Sequence, residues 1–484
     1  MVGPTAASGG LLKTWVIDLG ADTIKAVASA TDDPRILPNV LIQGRDQRWR
    51  WPSDAVHGVG DRGSCSNHDA LRQASWAHPF DGGLLTRWQT QQTILDHAFD
   101  TWGVDPAATD LVVTEPVLNP APLQHVYDEI LYERYGFARV ARVPAAALAF
   151  AAAAADVVSG GAVPDPNPCA LLIDLGHTST TVVPIIAGRI VRHAVRRLPV
   201  AGRVLTNALN DLLSLRHVHL LDDAPAARAL KEQVCFVAGD YATAMRRARR
   251  EHAALRAADI AWTDAVFPSA AAAPTVLADY ILPDGITHPR GALRSWHGPS
   301  RTPRASQLTA VRDSAAASGT ATAAPTSTPA PQHVLLGTER FHVPERLFTP
   351  PEHTDGVGLV AAIRAAVAAV AAASPLAPLL YAHIHLCGGT AALPGLARRL
   401  ARALQADLVD GTRVHITTRP APALDAVLGG ATWVRAGRAD GADGAPFLPT
   451  PLPPHAEIAV SRAEYLEHGP QRCGQRGNAL YHAA

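Results

Sequence analysis

IDLGADTIKAV (residues 17–27) and IDLGHTSTTVV (residues 173–183) place the same four letters 156 residues apart. Each copy follows an apolar run, KTWVID in the first and CALLID in the second, and precedes another. Each predicts a buried strand ending in a carboxylate (Asp18, Asp174), a turn at a glycine (Gly20, Gly176), and a second strand, residues 23–28 and 180–185. Glycine has no Cβ, so such a turn can bring backbone N–H groups close to an anion. Two such hairpins from two related domains can grip a phosphate chain from both sides. Asp18 and Asp174 would then hold a hydrated Mg²⁺ against it, an ion that keeps waters and takes one or two carboxylates. Taken alone, the four letters fit two ordinary hairpins with similar turns equally well.

A third element narrows the choice. YAHIHLCGGTAALPGLARRLARAL (residues 381–404) predicts a strand, a glycine pair (Gly388, Gly389), and a helix opened by Pro394-Gly395. Strand, Gly-Gly-Thr, helix is a seat for the sugar and base of a nucleotide, with backbone pressed against the ligand.

Composition bounds the setting. The chain has 484 residues, 48% apolar and 18% charged, enough for a large core in two to four domains. Lys+Arg and Asp+Glu are 43 each, so no global field draws the protein to nucleic acid or anionic lipid. Five scattered cysteines (Cys65, Cys169, Cys235, Cys387, Cys473) without CxxC spacing argue for a reducing compartment, against a disulfide framework or zinc finger. The N-terminal MVGPTAASGGLLKTW lacks the basic and apolar regions of a secretory signal. Two Ala-rich runs, residues 145–158 and 356–373, are short or interrupted by Arg364, and read as core helices of a soluble chain.

From about residue 293 to 332 the sequence turns Ser/Thr/Pro/Ala-rich and predicts a disordered insertion. A Pro-rich patch at 445–457 predicts a connector. Elsewhere strand and helix patterns alternate, the mark of an α/β protein. Leu123, Val126, Tyr127, Ile130 and Leu131 form one helical stripe, opened by Asn119-Pro120 and closed by Gly136. Val204 to Leu213 form a second, and ARALKEQVCFVAGDY, with Glu232, Val234, Cys235 and Phe236, predicts a third helix.

The two hairpins and the Gly-Gly-Thr turn, in this order, resemble the ATPase fold shared by actin, heat-shock chaperones and sugar kinases. HPFDGGLLTRWQTQQTILDHAF (78–99), VVTEPVLNP (112–120), AGRVLTNAL (201–209), LKEQVCFVAGDY (230–241), YILPDG (280–285), ERFHVPERLF (339–348) and SRAEYLEHGP (461–470) are similar to actin segments in actin's order. The resemblance covers nearly the whole chain outside the insertion. It implies an α/β actin-like fold, two duplicated RNase H-like lobes around a nucleotide cleft. In that layout subdomain 1 takes residues 1–32, 79–155 and 418–484, and subdomain 2 takes 33–78. Subdomain 3 takes 156–198 and 354–417, and subdomain 4 takes 199–353, with the insertion.

TEPVLN followed by YDEILYERYGFARVARV, then RHVHLLDD, DYILPDG and IAVSRAEYLEHG, fit a nuclear actin-related subfamily better than actin. That resemblance implies a non-filamentous subunit of a nuclear SWR/SRCAP-type remodelling complex. Such a complex exchanges histone 2A for its Z variant, and a separate helicase-like subunit is its motor. The implied partners are that remodeller ATPase subunit, a zinc-finger HIT-type subunit and, indirectly, the nucleosome or variant histone. No membrane contact and no filament are implied. The region of actin's longitudinal contact loop has no clear counterpart in residues 33–78. Trp49, Trp51 and Trp76 there are anchors for a partner or, more commonly, packing residues.

Carried over residue by residue, the nucleotide positions are Asp18, Gly20 and Lys25 in the first loop and Asp174 and Gly176 in the second. Lys231 and Glu232 flank the adenine, and Gly388, Gly389 and Thr390 form the third motif; the cofactor would be ATP with Mg²⁺ at Asp18 and Asp174 through water. Only three of the 43 basic residues are lysine, and two of them, Lys25 and Lys231, fall at these positions. A compact ammonium fits beside a phosphate where a planar guanidinium does not.

Departures weaken the ATPase reading. Actin's Ser-Gly after the first loop glycine is Ala21-Asp22, and its Asp-Gly after the second is His177-Thr178. An unpaired carboxylate ~4 Å from a phosphate oxygen would cost about 4 kcal/mol, roughly a thousandfold in affinity, unless Asp22 points away or meets the metal. Actin's water-placing glutamine and histidine align with Pro144 and Thr181. Proline carries no side-chain donor or acceptor, and threonine cannot shuttle a proton as imidazole does. The expectation is a pseudo-ATPase scaffold; the alternative is an ATP-hydrolysing, polymerising actin-like protein. A sugar-kinase relative lacks an added substrate domain.

Other clusters have plainer readings. His383, His385 and Cys387 alternate along one strand, and core packing outweighs a zinc site there. His217 and His219 read as loop or helix-end residues. RRARREH (246–252) reads as a solvated helix face before a nucleosomal DNA contact.

Overall fold

Both Ile-Asp-Leu-Gly repeats are hairpins, and each begins a sheet of the same plan. In this computed structural model Lys13–Leu19 (β1) pairs antiparallel with Thr23–Ala28 (β2), and Arg35–Pro38 (β3) extends the sheet. On the other side of β1 run Thr109–Glu115 (β4) and Arg139–Pro144 (β5), both parallel, with Val460–Ser461 at the edge. In the second sheet Ala170–Leu175 (β6) pairs antiparallel with Thr180–Ile186 (β7), and Arg189–Ile190 and Arg196–Leu198 (β8) both pair with β7. Beyond β6 lie two parallel strands, Ile384–Cys387 (β9) and Ile416–Thr418 (β10). The duplication seen in four letters is therefore a duplication of topology.

The structure describes residues 13–31, 33–43, 49–51, 75–159, 169–216, 224–257, 276–282, 291–294, 333–351, 356–372, 374–406, 408, 413–438 and 452–482. Residues 295–332 of the expected insertion, residues 445–451 of the Pro-rich patch, Cys65, His217 and His219, and residues 52–74 lie outside that set.

The chain divides into two compact units: residues 1–204, 347–392 and 400–484 in the first, residues 205–346 and 393–399 in the second. Both sheets belong to the first unit. Its core forms because β1, β4, β5, β6 and β7 are buried along most of their length, as near-continuous Val/Ile/Leu/Ala runs require. The Ala-rich run is a helix, Ala145–Ser159, which packs on the helix Asp425–Arg438. Small residues set that approach: a Cβ on Gly429 would overlap the Leu148 carbonyl oxygen, so the helices touch backbone to backbone there. The second Ala-rich run is the helix Leu359–Ala371, and no helix among the described residues is long and apolar enough to cross a membrane.

The stripe at 123–131 is helical, Ala121–Glu129 continued by a wider turn, Ile130–Arg134, and Gly136 follows at φ +74°. Trp51 is buried and stacks on His97 at 4.7 Å, whereas Trp49 is half exposed on the short strand Trp49–Arg50.

The second unit holds a three-stranded sheet, Ala292–Arg294, Ala278–Ile281 and His333–Leu336 in that order, with helices Ala224–Val234 and Tyr241–Ala257. Two expectations are corrected there. Leu293 and Arg294, the first residues of the expected insertion, are strand residues opposite Tyr280 and Asp279. Cys235 and Phe236 lie past the helix end, because the Phe236 N–H leaves the helix to donate to Arg340 O at 3.0 Å. On Tyr241–Ala257, Arg246, Arg249 and Arg250 are exposed and Arg247 pairs with Glu251 at 2.9 Å, as a solvated face requires.

Candidate functional site

The first hairpin fixes its carboxylate from both sides. Asp18 and Lys25 are register partners across β1 and β2, so their side chains share a face, and Lys25 Nζ donates to Asp18 Oδ2 at 2.8 Å. On the other flank the Thr114 hydroxyl donates to Asp18 Oδ1 at 2.8 Å and accepts from Leu19 N–H at 3.0 Å. Both members of the ion pair are buried. Thr114 sits inside VVTEPVLNP, yet its role depends on a parallel pairing across 96 residues that no local pattern reveals.

The second hairpin differs at the matching positions. Asp174 faces Thr181 across β6 and β7, and Thr181 faces Arg197 across β7 and β8. Among the described residues no hydrogen-bond donor reaches the Asp174 carboxylate. Burial, then the nearby Asp18 charge, pushes Asp174 up to about 7, with Lys25 and Arg197 acting against them. The two aspartates, far apart in sequence, therefore sense each other directly.

The Gly-Gly-Thr turn packs on the same hairpin. Gly388 has φ +85°, and a Cβ on it would lie 2.6 Å from both Asp174 Oδ1 and Leu175 O, so only glycine fits. Thr390 Oγ1 donates to Gly176 O at 3.0 Å, and Gly389 has open space around it. The first unit thus brings together Asp18, Gly20, Lys25, Asp174, Gly176, Gly388, Gly389 and Thr390. Lys231 and Glu232 belong to the second unit. There Lys231 is buried and donates to Thr206 Oγ1 at 2.9 Å, while Glu232 is exposed and pairs with Arg228 one turn earlier at 2.9 Å.

The alternating histidines lie in different environments. His383 is exposed and precedes β9, His385 is buried between Asp425 Oδ2 and Thr417 Oγ1 at 3.1 Å each, and Cys387 is a buried thiol. No group of three or more His, Cys, Asp or Glu poised for a metal occurs among the described residues.

A family model described as Actin matches residues 10–478. The chain belongs to the actin family. Curated relatives named Actin-related protein 6 align along nearly all of it. The Drosophila melanogaster protein is 30% identical over 466 residues, 95% of this chain and 98% of that one. The Arabidopsis thaliana protein is 27% identical over 469 residues, covering 95% and 98%. The Neurospora crassa protein is 28% identical over 473 residues, covering 94% and 92%. The fold is the α/β actin-like ATPase fold, and its two duplicated sheets carry the hairpins above.

At the loop tips two residues of this actin-family chain that depart from actin lie close together. Asp22 is not an isolated charge: His177 Nδ1 lies 3.9 Å from Asp22 Oδ1, so the two departures from actin's loops face each other. Asp22 also acts on His78, whose pKa burial nonetheless lowers. Pro144 closes β5 opposite Glu115, and Thr181 is buried within β7. Two carboxylates in one unit, one of them without a hydrogen-bond donor among the described residues, are a donor set that a hydrated divalent cation could use, and its charge would offset the burial and the Asp18 repulsion that raise the Asp174 proton affinity.

Proposed function

We propose that this chain is a non-catalytic, actin-fold scaffold subunit of a nuclear remodelling complex that exchanges histone 2A for its Z variant. Its partners in this reading are a helicase-like motor subunit and a zinc-finger HIT-type subunit, with the nucleosome or variant histone reached through them. The observation that carries the reading is full-length similarity to proteins named Actin-related protein 6 in an insect, a plant and a fungus.

The site chemistry supports a role without turnover. ATP with Mg²⁺ would sit at the two hairpins, the metal at Asp18 and Asp174 through water and the phosphates beside Lys25. The metal would supply charge neutralisation of the phosphate oxygens. At the positions matching actin's water-placing pair, Pro144 offers no side-chain donor or acceptor, and Thr181, buried in mid-strand, has a hydroxyl but no titratable nitrogen. In this reading neither residue activates a water, so bound nucleotide would persist and serve the shape of the fold.

Affinity capture from nuclear extract, read by mass spectrometry, tests the proposal. The expected result is a large complex containing a helicase-like ATPase and a zinc-finger subunit, with no phosphate release by the purified chain. Recovery as ATP-dependent filaments would establish the polymerising ATPase instead.

A further inference from the structure

Asn39 and Gln91 are fully buried amides behind the first hairpin loop, and the candidate function has not used them. Asn39 Nδ2 donates to Gly20 O at 2.8 Å and to Gln91 Oε1 at 3.1 Å, while the Asn39 backbone N–H donates to Asp22 O at 2.9 Å. One side-chain atom facing two oxygens must be the nitrogen, which fixes the amide's orientation. Two carbonyls of a three-residue loop are thus drawn back onto one residue, itself seated on the helix Trp88–Trp102 through Gln91.

In a planar trans peptide the carbonyl and the following N–H point in opposite directions. Pulling Gly20 O and Asp22 O towards Asn39 turns the N–H groups of Ala21 and Thr23 away from it. The second loop is held by the same logic with different parts. Gly176 O accepts from Thr390 Oγ1 and from Gly202 N–H at 3.1 Å, and His177 O accepts from Arg203 N–H at 2.7 Å.

The amide pair is poorly designed for stability alone. Asn39 Oδ1 and Gln91 Nε2, an acceptor and a donor, are both buried without a partner. Such groups cost free energy that an apolar pair of the same shape would avoid. We infer that Asn39, braced by Gln91, is a positioning residue that sets the first loop's amides for a phosphate-bearing ligand. This deepens the nucleotide-site reading and rests on it for the ligand, though not for the clamp itself.

Amide hydrogen exchange of the ligand-free full chain separates the two. Asn39→Ala should speed exchange of the residue-39 amide, which reports on the loop through its bond to Asp22 O, about tenfold, the equivalent of one net hydrogen bond, while β4 keeps its protection. Affinity for Mg·ATP, by calorimetry, should fall by a similar factor. Gln91→Met removes the unpartnered donor and keeps the Gly20 contact. It should fold as stably as the natural chain, with loop exchange faster by about threefold, and it decides the matter if Asn39→Ala does not fold. Unchanged loop exchange, or β4 accelerating as much as the loop, would overturn the clamp. A natural chain with no affinity for Mg·ATP would sink the nucleotide reading and leave the clamp to the exchange result.

Discussion

The two hairpins share a backbone plan and differ in how they treat their aspartate. Across the first sheet the row reads Thr114, Asp18, Lys25, with hydrogen bonds to the carboxylate from both neighbours. Across the second the corresponding row reads Cys387, Asp174, Thr181, and then Arg197 one strand further out. The first carboxylate is paired within the protein. The second lies between a buried thiol and a threonine, and burial, then the Asp18 charge, raises its proton affinity. The two sheets share the geometry, and the cation stands on the adjacent strand in the first and on the next strand out in the second.

Removing the cation that the first row depends on should have the largest effect. Lys25→Met would leave Asp18 buried with only a hydroxyl against it. Breaking a buried ion pair in this way costs about 3–5 kcal/mol, so urea denaturation should show a loss in that range. Thr181→Val, the same register position in the second sheet, should cost under about 1 kcal/mol. Equal losses at the two positions would show that the rows are equivalent after all.

Asp174→Asn examines the other side of the comparison. The Asp174 carboxyl titrates near 3.8 when unfolded and about 7 in the fold. Between those values the folded chain keeps a proton that the unfolded chain has lost, so stability falls as pH rises from 4 to 7 and stays low above it. The asparagine variant should therefore be more stable than the natural chain at pH 8, by roughly 2 kcal/mol after solvent screening, and no different at pH 4. Asp128, also pushed up to about 7 by burial, contributes the same sign in both proteins and cancels in the difference. Identical melting curves at pH 8 would remove the charge asymmetry from the argument.

The asymmetry itself was legible in the sequence, since Lys25 and Thr181 each stand seven residues after their aspartate. So were both hairpins, the Gly-Gly-Thr turn and most helices, because strand and helix periods are local. What stayed hidden depends on distant pairing. Thr114 reaches Asp18 through β4, Arg197 meets the second row through β8, and Gln91 reaches Asn39 from a helix 52 positions on. The neighbour of Asp22 was hidden for the same reason: no local pattern places His177 against it.

Thr181→Lys would copy the first row into the second. Directly opposed residues share a face, so the new ammonium would meet Asp174 as Lys25 meets Asp18. Asp174 should fall back towards the ordinary carboxylate range, and the stability lost between pH 4 and pH 8 should shrink by about 1 kcal/mol. The neighbouring Arg197 keeps the gain small, because the added cation also faces a like charge. An unaltered pH profile in a folded variant would mean that burial alone, and not the missing partner, sets the Asp174 proton affinity.

The smallest effect is expected at the loop tips. His177 and Asp22 are each about a fifth exposed and 3.9 Å apart, a surface-like pair that, with the imidazole protonated, is worth between about 0 and 1 kcal/mol. His177→Ala should accordingly change stability by under about 0.5 kcal/mol at low salt, and by nothing measurable at 1 M salt, where the screening length is about 3 Å. Its consequence should fall on anion binding instead, since it exposes Asp22 to any phosphate held by the loops. Weaker Mg·ATP binding with unchanged stability would mark the histidine as a local charge partner for the first loop. A loss of about 2 kcal/mol would show that the tips are latched together, making their contact a structural joint between the two hairpins.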